Sequence, residues 1–363
     1  MRFSGNMRPF KKSEIFLSLA GFVFVFLCVE IAARIWLNYF ARPEQYLEYA
    51  LYTENDPKRL RFQPHHYLNY VLTPGYHRGR TSHNSLGFRG QEFPKAKPTG
   101  EFRIVAIGGS TTYDETIADD NDIHTKQLEN ILHTQYAYQS VRVVNAGIPS
   151  YNSWESLINL EFRVLDIEPD VIILFDNNND VHARLINPLQ YKSDNSGLRK
   201  QWTCPPVPWW ERSVYLRTLS RYFHVTRQVD LEDCVSRGSG YGEHPMKTLE
   251  QNPPIYFERN LRNMVAIAKE HGITPLLVTY AYSPYFQDNY PSRPFYQKGF
   301  EEHNDIIKRV AKSHAVPLFD LEAVMPKDKE YYDDGRHNNA KGARKKAELY
   351  AEFLTSHNVL PKK

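Results

Sequence analysis

The stretch FRIVAIGGSTTY, Phe102 to Tyr113, decides the fold: a short apolar run leads into two glycines, a serine and the start of a helical pattern. Four further apolar runs follow it: VRVVNAG (141–147), DVIILFD (170–176), TPLLVTYAY (274–282) and VPLFDL (316–321). Amphipathic stretches of helical period separate these runs. Such alternation predicts an α/β fold with a parallel five-stranded sheet and helices on both of its faces.

The N-terminal part of the chain differs from the rest in composition. An apolar run, IFLSLAGFVFVFLCV, is followed by EIAARIWLNYF, so that more than twenty residues read as one membrane-spanning helix with Glu30 and Arg34 inside it. These two residues are four positions apart and can pair near the far end of the span, where a charge costs least. The run is preceded by four basic residues, Arg2, Arg8, Lys11 and Lys12.

Basic residues before a span keep that side of the protein in the cytoplasm. We therefore predict a cytoplasmic segment over residues 1–14, a transmembrane anchor over 15–38, and a single-pass protein of the cytoplasmic membrane whose remaining domain faces the periplasm or the cell exterior. A cleaved signal peptide is the alternative, although no small-x-small cleavage site follows the run.

Beyond the anchor, residues 39–100 are rich in Pro, Tyr and Arg and predict a linker and an irregular lead-in that contains HNSLGFRG. The main domain is predicted over 101–360, with an insertion at about 183–254. The insertion contains Cys204 and Cys234, which either form a disulfide or are two unrelated thiols. The formal net charge is only +3, and no basic run interleaves with aromatic residues, so nucleic acid is not an expected partner.

In open parallel sheets, chemistry gathers at the carboxyl ends of the strands. The first strand ends at Ser110, which is either a helix cap or a functional hydroxyl; the phosphate-loop lysine and the dinucleotide glycine spacing are both missing around it. The second strand ends at Gly147, where a backbone N–H is open to a ligand. The third ends in DNNND, in which Asn179 places an amide at the same edge of the sheet.

A last polar group lies near the C-terminus, where DGRH holds Asp334 and His337 three residues apart before an amphipathic helix. A serine becomes a nucleophile when a histidine takes its proton, and a carboxylate orients and stabilises that histidine. Ser110, His337 and Asp334 are the candidates for these catalytic roles. The candidate oxyanion donors are the N–H groups of Ser110 and Gly147 and the Asn179 amide.

The blocks GGST, NAG, NNND and DGRH, in this order and on these strand ends, resemble the SGNH hydrolase superfamily, also called GDSL-type esterases and lipases. The resemblance extends from Phe102 to the C-terminus and implies a three-layer α/β/α flavodoxin-like sandwich. It also implies that the aspartate three residues before the histidine completes the triad. The NSLGFRG lead-in and the anchor are similar to membrane-tethered bacterial members.

This chain departs from the family pattern at two positions. Gly109 stands where the family name has an aspartate, and Asn177 stands where glycine is usual, which puts the oxyanion geometry in question. Asp333 has the wrong spacing to His337 and receives no role.

These features predict an extracytoplasmic serine ester hydrolase acting on an acyl ester, such as an acylated glycan or a lipid. The alternatives are an O-acyltransferase acting on an envelope polysaccharide and a non-catalytic glycan-binding module of the same fold. We expect no cofactor and no metal, because the tandem His65 and His66 lack metal-ligand spacing.

Overall fold

The computed structural model describes residues 11–51, 61–199, 207–226, 244–287 and 289–362. The chain divides into two compact units. The first, which we call the helical unit, consists of Met1–Arg59 and Cys204–Cys234. The second, the sheet unit, consists of Leu60–Thr203 and Val235–Lys363. Part of the predicted insertion thus belongs with the N-terminal segment, and the predicted Cys204–Cys234 pairing lies outside the described residues.

The sheet unit opens with two small antiparallel pairs and continues with five parallel strands. The antiparallel pairs are β1 (Phe62–Pro64) with β2 (Tyr70–Leu72), and β3 (His77–Arg78) with β4 (Thr81–Ser82). The parallel strands are β5 (Phe102–Gly108), β6 (Val141–Gly147), β7 (Val171–Phe175), β8 (Thr274–Val278) and β9 (Leu318–Phe319), in the order β6-β5-β7-β8-β9. The predicted five-stranded parallel sheet is confirmed. Its last strand is shorter than the apolar run suggested, because only Leu318 and Phe319 pair with β8.

The described residues form twelve α-helices, numbered along the chain. They are α1 (Lys12–Ile35), α2 (Pro43–Tyr49), α3 (Ser110–Tyr113), α4 (His124–Thr134), α5 (Ser153–Asn159), α6 (Asn178–Arg184), α7 (Val214–Tyr222), α8 (Pro245–Gln251), α9 (Ile255–Glu270), α10 (Pro294–His314), α11 (Leu321–Val324) and α12 (Ala340–Ser356). Short 3₁₀ or π turns lie at Trp36–Phe40, Leu160–Val164, Leu165–Ile167, Pro188–Gln190, Trp209–Arg212, Tyr290–Ser292 and Lys329–Tyr331.

The sheet is buried on both faces, and successive residues of each central strand alternate between two apolar cores. In β5, Ile104 and Ala106 belong to the core that includes residues of α4 and α12, whereas Val105 and Ile107 belong to the core that includes residues of α9 and α10. Each fully buried aliphatic side chain contributes roughly 1.5–3 kcal/mol. The three-layer α/β/α arrangement therefore follows from near-continuous apolar strands that need cover on both sides.

In the helical unit, α1 continues through the turn at Trp36–Phe40 and is followed by α2. Among the described residues, Lys12–Phe40 is the one helical segment long and apolar enough to cross a membrane, with a mean hydropathy of 2.5 and no buried residue in its most apolar window. Helix α7, from the other part of this unit, lies against α1 and α2.

Candidate active site

The candidate nucleophile sits on the tight turn between β5 and α3. Ser110 is the first residue of α3 and Gly109 is its N-cap, so the Ser110 N–H has no acceptor within the helix. Gly109 is needed because a Cβ there would lie 2.7 Å from the Asn179 amide nitrogen and 2.8 Å from the Tyr151 carbonyl oxygen. The aspartate of the family name has no room at this position.

The structure brings together three predicted residues that lie up to 227 positions apart. The Ser110 hydroxyl is 2.7 Å from His337 Nε2, and His337 Nδ1 is 2.9 Å from Asp334 Oδ2. His337 is only 7% exposed, which limits the water that competes for its ring. A hydroxyl, an imidazole and a carboxylate thus form one hydrogen-bonded chain.

The Asp334 carboxylate is held by donors on both of its oxygens. Oδ1 accepts from the backbone N–H groups of Arg336 and His337 at 3.0 and 2.8 Å, and Oδ2 also accepts from Arg336 Nε at 3.0 Å. Burial alone would raise the pKa of this carboxyl, but the hydrogen bonds from His337 and Arg336 hold the pKa well below its ordinary value. Asp334 therefore stays ionised and fixes the orientation of the imidazole.

The loop that carries Asp334 and His337 is anchored by a second loop, which precedes α10. The Ser283 N–H donates to the Gly335 carbonyl at 2.7 Å, and the Asn289 amide donates to the Asp334 carbonyl at 3.1 Å. The Arg336 guanidinium lies 4.9 Å from the centre of the Tyr290 ring. The sequence offered no signal for this support, because Ser283, Asn289 and Tyr290 belong to no motif.

The amide of Asn179 is oriented by its neighbours. Asn178 Nδ2 donates to Asn179 Oδ1 at 3.1 Å, and Asn179 Nδ2 donates to the Tyr151 carbonyl at 2.6 Å. This places the Asn179 amide nitrogen beside Gly109, next to the nucleophile turn. One of its two N–H bonds is used by Tyr151, which leaves the second for a ligand.

Gly147 differs from the expectation. Its N–H donates to Asn145 Oδ1 at 3.0 Å and so has a partner within the protein. A Cβ at this position would lie 2.3 Å from the Tyr113 backbone nitrogen and 2.7 Å from the Thr112 carbonyl carbon. The glycine is required for close approach of α3, and the prediction of an oxyanion donor at Gly147 finds no support in this hydrogen-bond arrangement.

Asn177, which stands in place of the usual glycine, points away from the candidate site. Its amide nitrogen donates to Asn304 Oδ1 at 3.1 Å in α10, and the residue is buried. Asp333, which received no role, is exposed. Among the described residues, no group of three or more His, Cys, Asp or Glu side chains could hold a metal ion, and His65 and His66 form no such group.

Residues to which the sequence analysis gave no individual role hold the short helix α3 in place. A four-residue helix is not stable alone, but side chains bind three of its carbonyls: Lys346 that of Thr111 at 3.0 Å, Asn145 that of Thr112 at 2.8 Å and Arg89 that of Tyr113 at 2.7 Å. Arg89, from the lead-in motif, also binds the carbonyl of Asp114 at 2.8 Å. The lead-in therefore secures the helix that carries the candidate nucleophile.

A buried ionic group lies under the end of this helix. Asp114 Oδ2 is 2.6 Å from His124 Nδ1, and both side chains are buried. Burial alone would raise the pKa of Asp114, but the pairing with His124 and the charge of Lys346 lower it. Burial lowers the pKa of Lys346 to about 8.

Two buried carboxyls, Asp176 and Asp180, flank the asparagine run that contains Asn179. Asp180 accepts hydrogen bonds from the Ser153 N–H and hydroxyl at 3.0 and 2.5 Å, and Asp176 accepts one from the Ser156 hydroxyl at 3.0 Å. Burial raises the pKa of Asp180 to about 7, and burial together with the nearby Asp180 raises the pKa of Asp176 well above its ordinary value. These carboxyls tie α6 to α5 and keep the Asn179 backbone in position.

Comparison with known proteins gives a family match. Residues 106–345 match the model of the GDSL-like Lipase/Acylhydrolase family. A putative lipolytic protein of the G-D-S-L family from Desulfitobacterium hafniense is 15% identical, with a TM-score of 0.42, over 70% of this chain and 100% of that one. A lipase/acylhydrolase from Enterococcus faecalis is 18% identical, with a TM-score of 0.43, over 70% of this chain and 96% of that one.

A GDSL-like lipase from Bacteroides thetaiotaomicron is 15% identical, with a TM-score of 0.42, over 73% of this chain and 92% of that one. No curated protein sequence matches the chain.

Proposed function

Because the chain belongs to the GDSL-like lipase/acylhydrolase family and is therefore a hydrolase that acts on ester bonds, we propose that Ser110, His337 and Asp334 carry out this hydrolysis as a catalytic triad. The observation that carries the proposal is the continuous hydrogen-bonded chain from the Ser110 hydroxyl through the imidazole to the Asp334 carboxylate. Nucleophilic catalysis requires a hydroxyl in contact with a base that is in turn oriented by a third group, and these three side chains have that order.

In the first half of the reaction, His337 Nε2 takes the proton of Ser110 Oγ as the oxygen attacks the ester carbonyl carbon. The tetrahedral intermediate collapses when the ester C–O bond breaks, and the imidazolium gives its proton to the departing alcohol. The acyl group is then bonded to Ser110. In the second half, His337 takes a proton from water, the hydroxide attacks the acyl carbon, and the free acid leaves as Ser110 regains its proton.

Negative charge develops on the carbonyl oxygen during both attacks. We assign its stabilisation to the Ser110 N–H and the second N–H bond of the Asn179 amide. Two observations support this assignment: Ser110 begins α3, and the Asn179 amide nitrogen lies beside Gly109. Asp334 keeps the proton of His337 on Nδ1, so that Nε2 is free to accept.

The test is Ser110→Ala assayed with p-nitrophenyl acetate and a fluorophosphonate probe. We expect loss of turnover and of labelling, because no other hydroxyl is in contact with His337 among the described residues. Thr111→Ala is the matched control, since it removes the adjacent hydroxyl of the same helix. Retained activity in Ser110→Ala with an intact fold would remove Ser110 from the mechanism.

We also propose that α1 anchors the enzyme in the cytoplasmic membrane with the sheet unit outside the cytoplasm. The apolar exposed surface of Lys12–Phe40 and the basic residues before it support this topology. The substrate is then an acyl ester of the cell envelope, carried by a glycan or a lipid. Alkaline phosphatase fused to the C-terminus should be active in cells, and an inactive fusion of normal abundance would reverse the topology.

A further inference from the structure

Helix α7 of the helical unit has its polarity reversed relative to a helix on a water-soluble surface. Its two arginines, Arg217 and Arg221, are 0% and 4% exposed. Its apolar and aromatic side chains point outward instead: Leu219 is 41% exposed, Tyr222 67%, and Phe223, just after the helix, 64%. A helix facing water presents the opposite pattern.

The inward arginines bind backbone and side-chain groups of the same unit. Arg217 Nε donates to the Tyr49 carbonyl at 2.7 Å, and Arg221 Nη1 donates to the Glu48 carbonyl at 2.5 Å, so both bind the end of α2. Arg221 also pairs with buried Glu211 at 3.0 Å. Cations at the C-terminus of a helix satisfy its last carbonyls. The apolar face of α7 therefore points outward, because its arginine-bearing face binds α2 and Glu211 inside the unit.

The N-terminus of α7 is capped by a residue of α1. The Glu30 carboxylate accepts hydrogen bonds from the Ser213 hydroxyl at 2.7 Å and from the Val214 and Tyr215 N–H groups at 3.0 Å each. It also pairs with Arg34 at 2.8 Å. The acidic residue in the apolar helix is thus 9% exposed and serves as the docking point of α7.

The contact with α1 sets the depth of α7. Tyr215 and Phe26 meet edge to face with ring centroids 6.3 Å apart. At a rise of about 1.5 Å per residue, Phe26 lies roughly 17 Å along the helix from Ile15, and Glu30 roughly 22 Å. Since a hydrocarbon core is about 30 Å thick, the start of α7 lies at the depth of the acyl chains on the far side of the span.

We propose that residues 209–225 form a second membrane contact, with the outward face of α7 against the lipid acyl chains of the outer leaflet. The exposed residues of this surface are Trp209, Trp210, Leu219, Tyr222, Phe223 and Val225. Tryptophan and tyrosine are typical of the membrane interface, and α7 packs against α1, whose apolar side chains are themselves exposed. The inference rests on the proposed membrane anchor and is independent of the catalytic residues.

The same geometry implies that α1 stays attached in the mature protein. Cleavage after the apolar run would cut α1 next to Glu30, which caps the start of α7, and would leave the apolar face of α7 exposed to water without the helix it packs against. We favour lipid over a second copy of the chain as the occupant of this surface. Outward-facing apolar side chains are present both on the membrane-spanning helix α1 and on α7, which packs against it.

The experiment uses the full chain in lipid nanodiscs that contain phosphatidylcholine brominated on its acyl chains, which quenches nearby tryptophan fluorescence. In the double variant Trp209→Phe and Trp210→Phe, we expect the quenchable part of the emission to fall by about half. In the control Trp154→Phe, which changes the sheet unit, the quenchable part should be unchanged. Trp36 and Trp202 are unchanged in both variants and contribute equally to them.

Equal quenchable emission in the double variant and the wild type would overturn the proposal. So would nanodiscs that hold two copies and show no quenching of Trp209 and Trp210, because the face would then be covered by a second chain. Absence of any quenchable emission in the wild type would point to failure of the anchor itself. Activity retained by Ser110→Ala would point to failure of the catalytic proposal and leaves the quenching result unaffected.

Discussion

Replacing Asp334 by asparagine tests the orienting role of the carboxylate with minimal change in shape. All four groups that bind its two oxygens are donors: the backbone N–H groups of Arg336 and His337 on Oδ1, and Arg336 Nε and His337 Nδ1 on Oδ2. Asparagine offers one oxygen and one NH₂ group. Whichever way its amide is turned, the NH₂ group meets two donors.

The expected effect follows from the proton on the imidazole. If the NH₂ group faces His337, the ring must carry its proton on Nε2, which can then no longer accept the proton of Ser110. Loss of the correct tautomer in a serine triad costs on the order of 10³–10⁴ in kcat, or about 4–5 kcal/mol of transition-state stabilisation. If the oxygen faces His337 instead, the two backbone N–H groups lose their acceptor and the loop is destabilised.

The assay is kcat/KM for p-nitrophenyl acetate, measured together with the Tm of each variant. Asp333→Asn is the control, because this neighbouring carboxylate is exposed and binds none of the triad side chains. Asp334→Asn with an unchanged Tm and a kcat/KM within about tenfold of the wild type would refute the orienting role.

Three further predictions concern the surroundings of the triad. Asn179→Ala should lower kcat about 10²–10³-fold with little change in KM, and an unchanged kcat would exclude its amide as an oxyanion donor. Asp180→Asn should flatten the pH dependence of Tm. The pKa of Asp180 is raised to about 7 in the folded protein, whereas the unfolded carboxyl releases its proton at about pH 4. The contribution of the protonated carboxyl to stability is therefore complete below about pH 4 and is lost as the pH rises to about 7. If the Tm of Asp180→Asn changes with pH in parallel with the Tm of the wild type, this prediction is contradicted. Gly147→Ala should lower stability by about 3 kcal/mol, because its Cβ meets the Tyr113 nitrogen at 2.3 Å, whereas Gly21→Ala, where a Cβ meets no atom within 4 Å, should not.

The sequence predicted the sheet because each strand is an apolar run that needs cover on both faces, a property that depends on local composition alone. It also named Ser110, Asn179, Asp334 and His337 as candidates, since each is a reactive or amide side chain at a strand end or in a polar loop. The structure brings the side chains of Ser110, His337 and Asp334 into contact and sets the Asn179 amide beside Gly109.

The prediction for Gly147 shows where sequence reasoning reaches its limit. A glycine at a strand end indicates that something approaches the backbone closely, but not whether that is a ligand or another part of the chain. Here the neighbour is α3. In the same way, Glu30 was expected to pair with Arg34 and does so, while its main partners come from residues more than 180 positions away.

Arg89 lies upstream of the family match, which begins at residue 106. Its guanidinium nevertheless closes the far end of the helix that starts with Ser110. The region that matches the family model is therefore shorter than the part of the chain that holds α3 in place. A truncated enzyme trimmed to residues 106–345 would keep the reactive side chains and lose both Arg89 and Lys346, which hold α3 in place, so recombinant fragments should include the whole sheet unit from Leu60 onward.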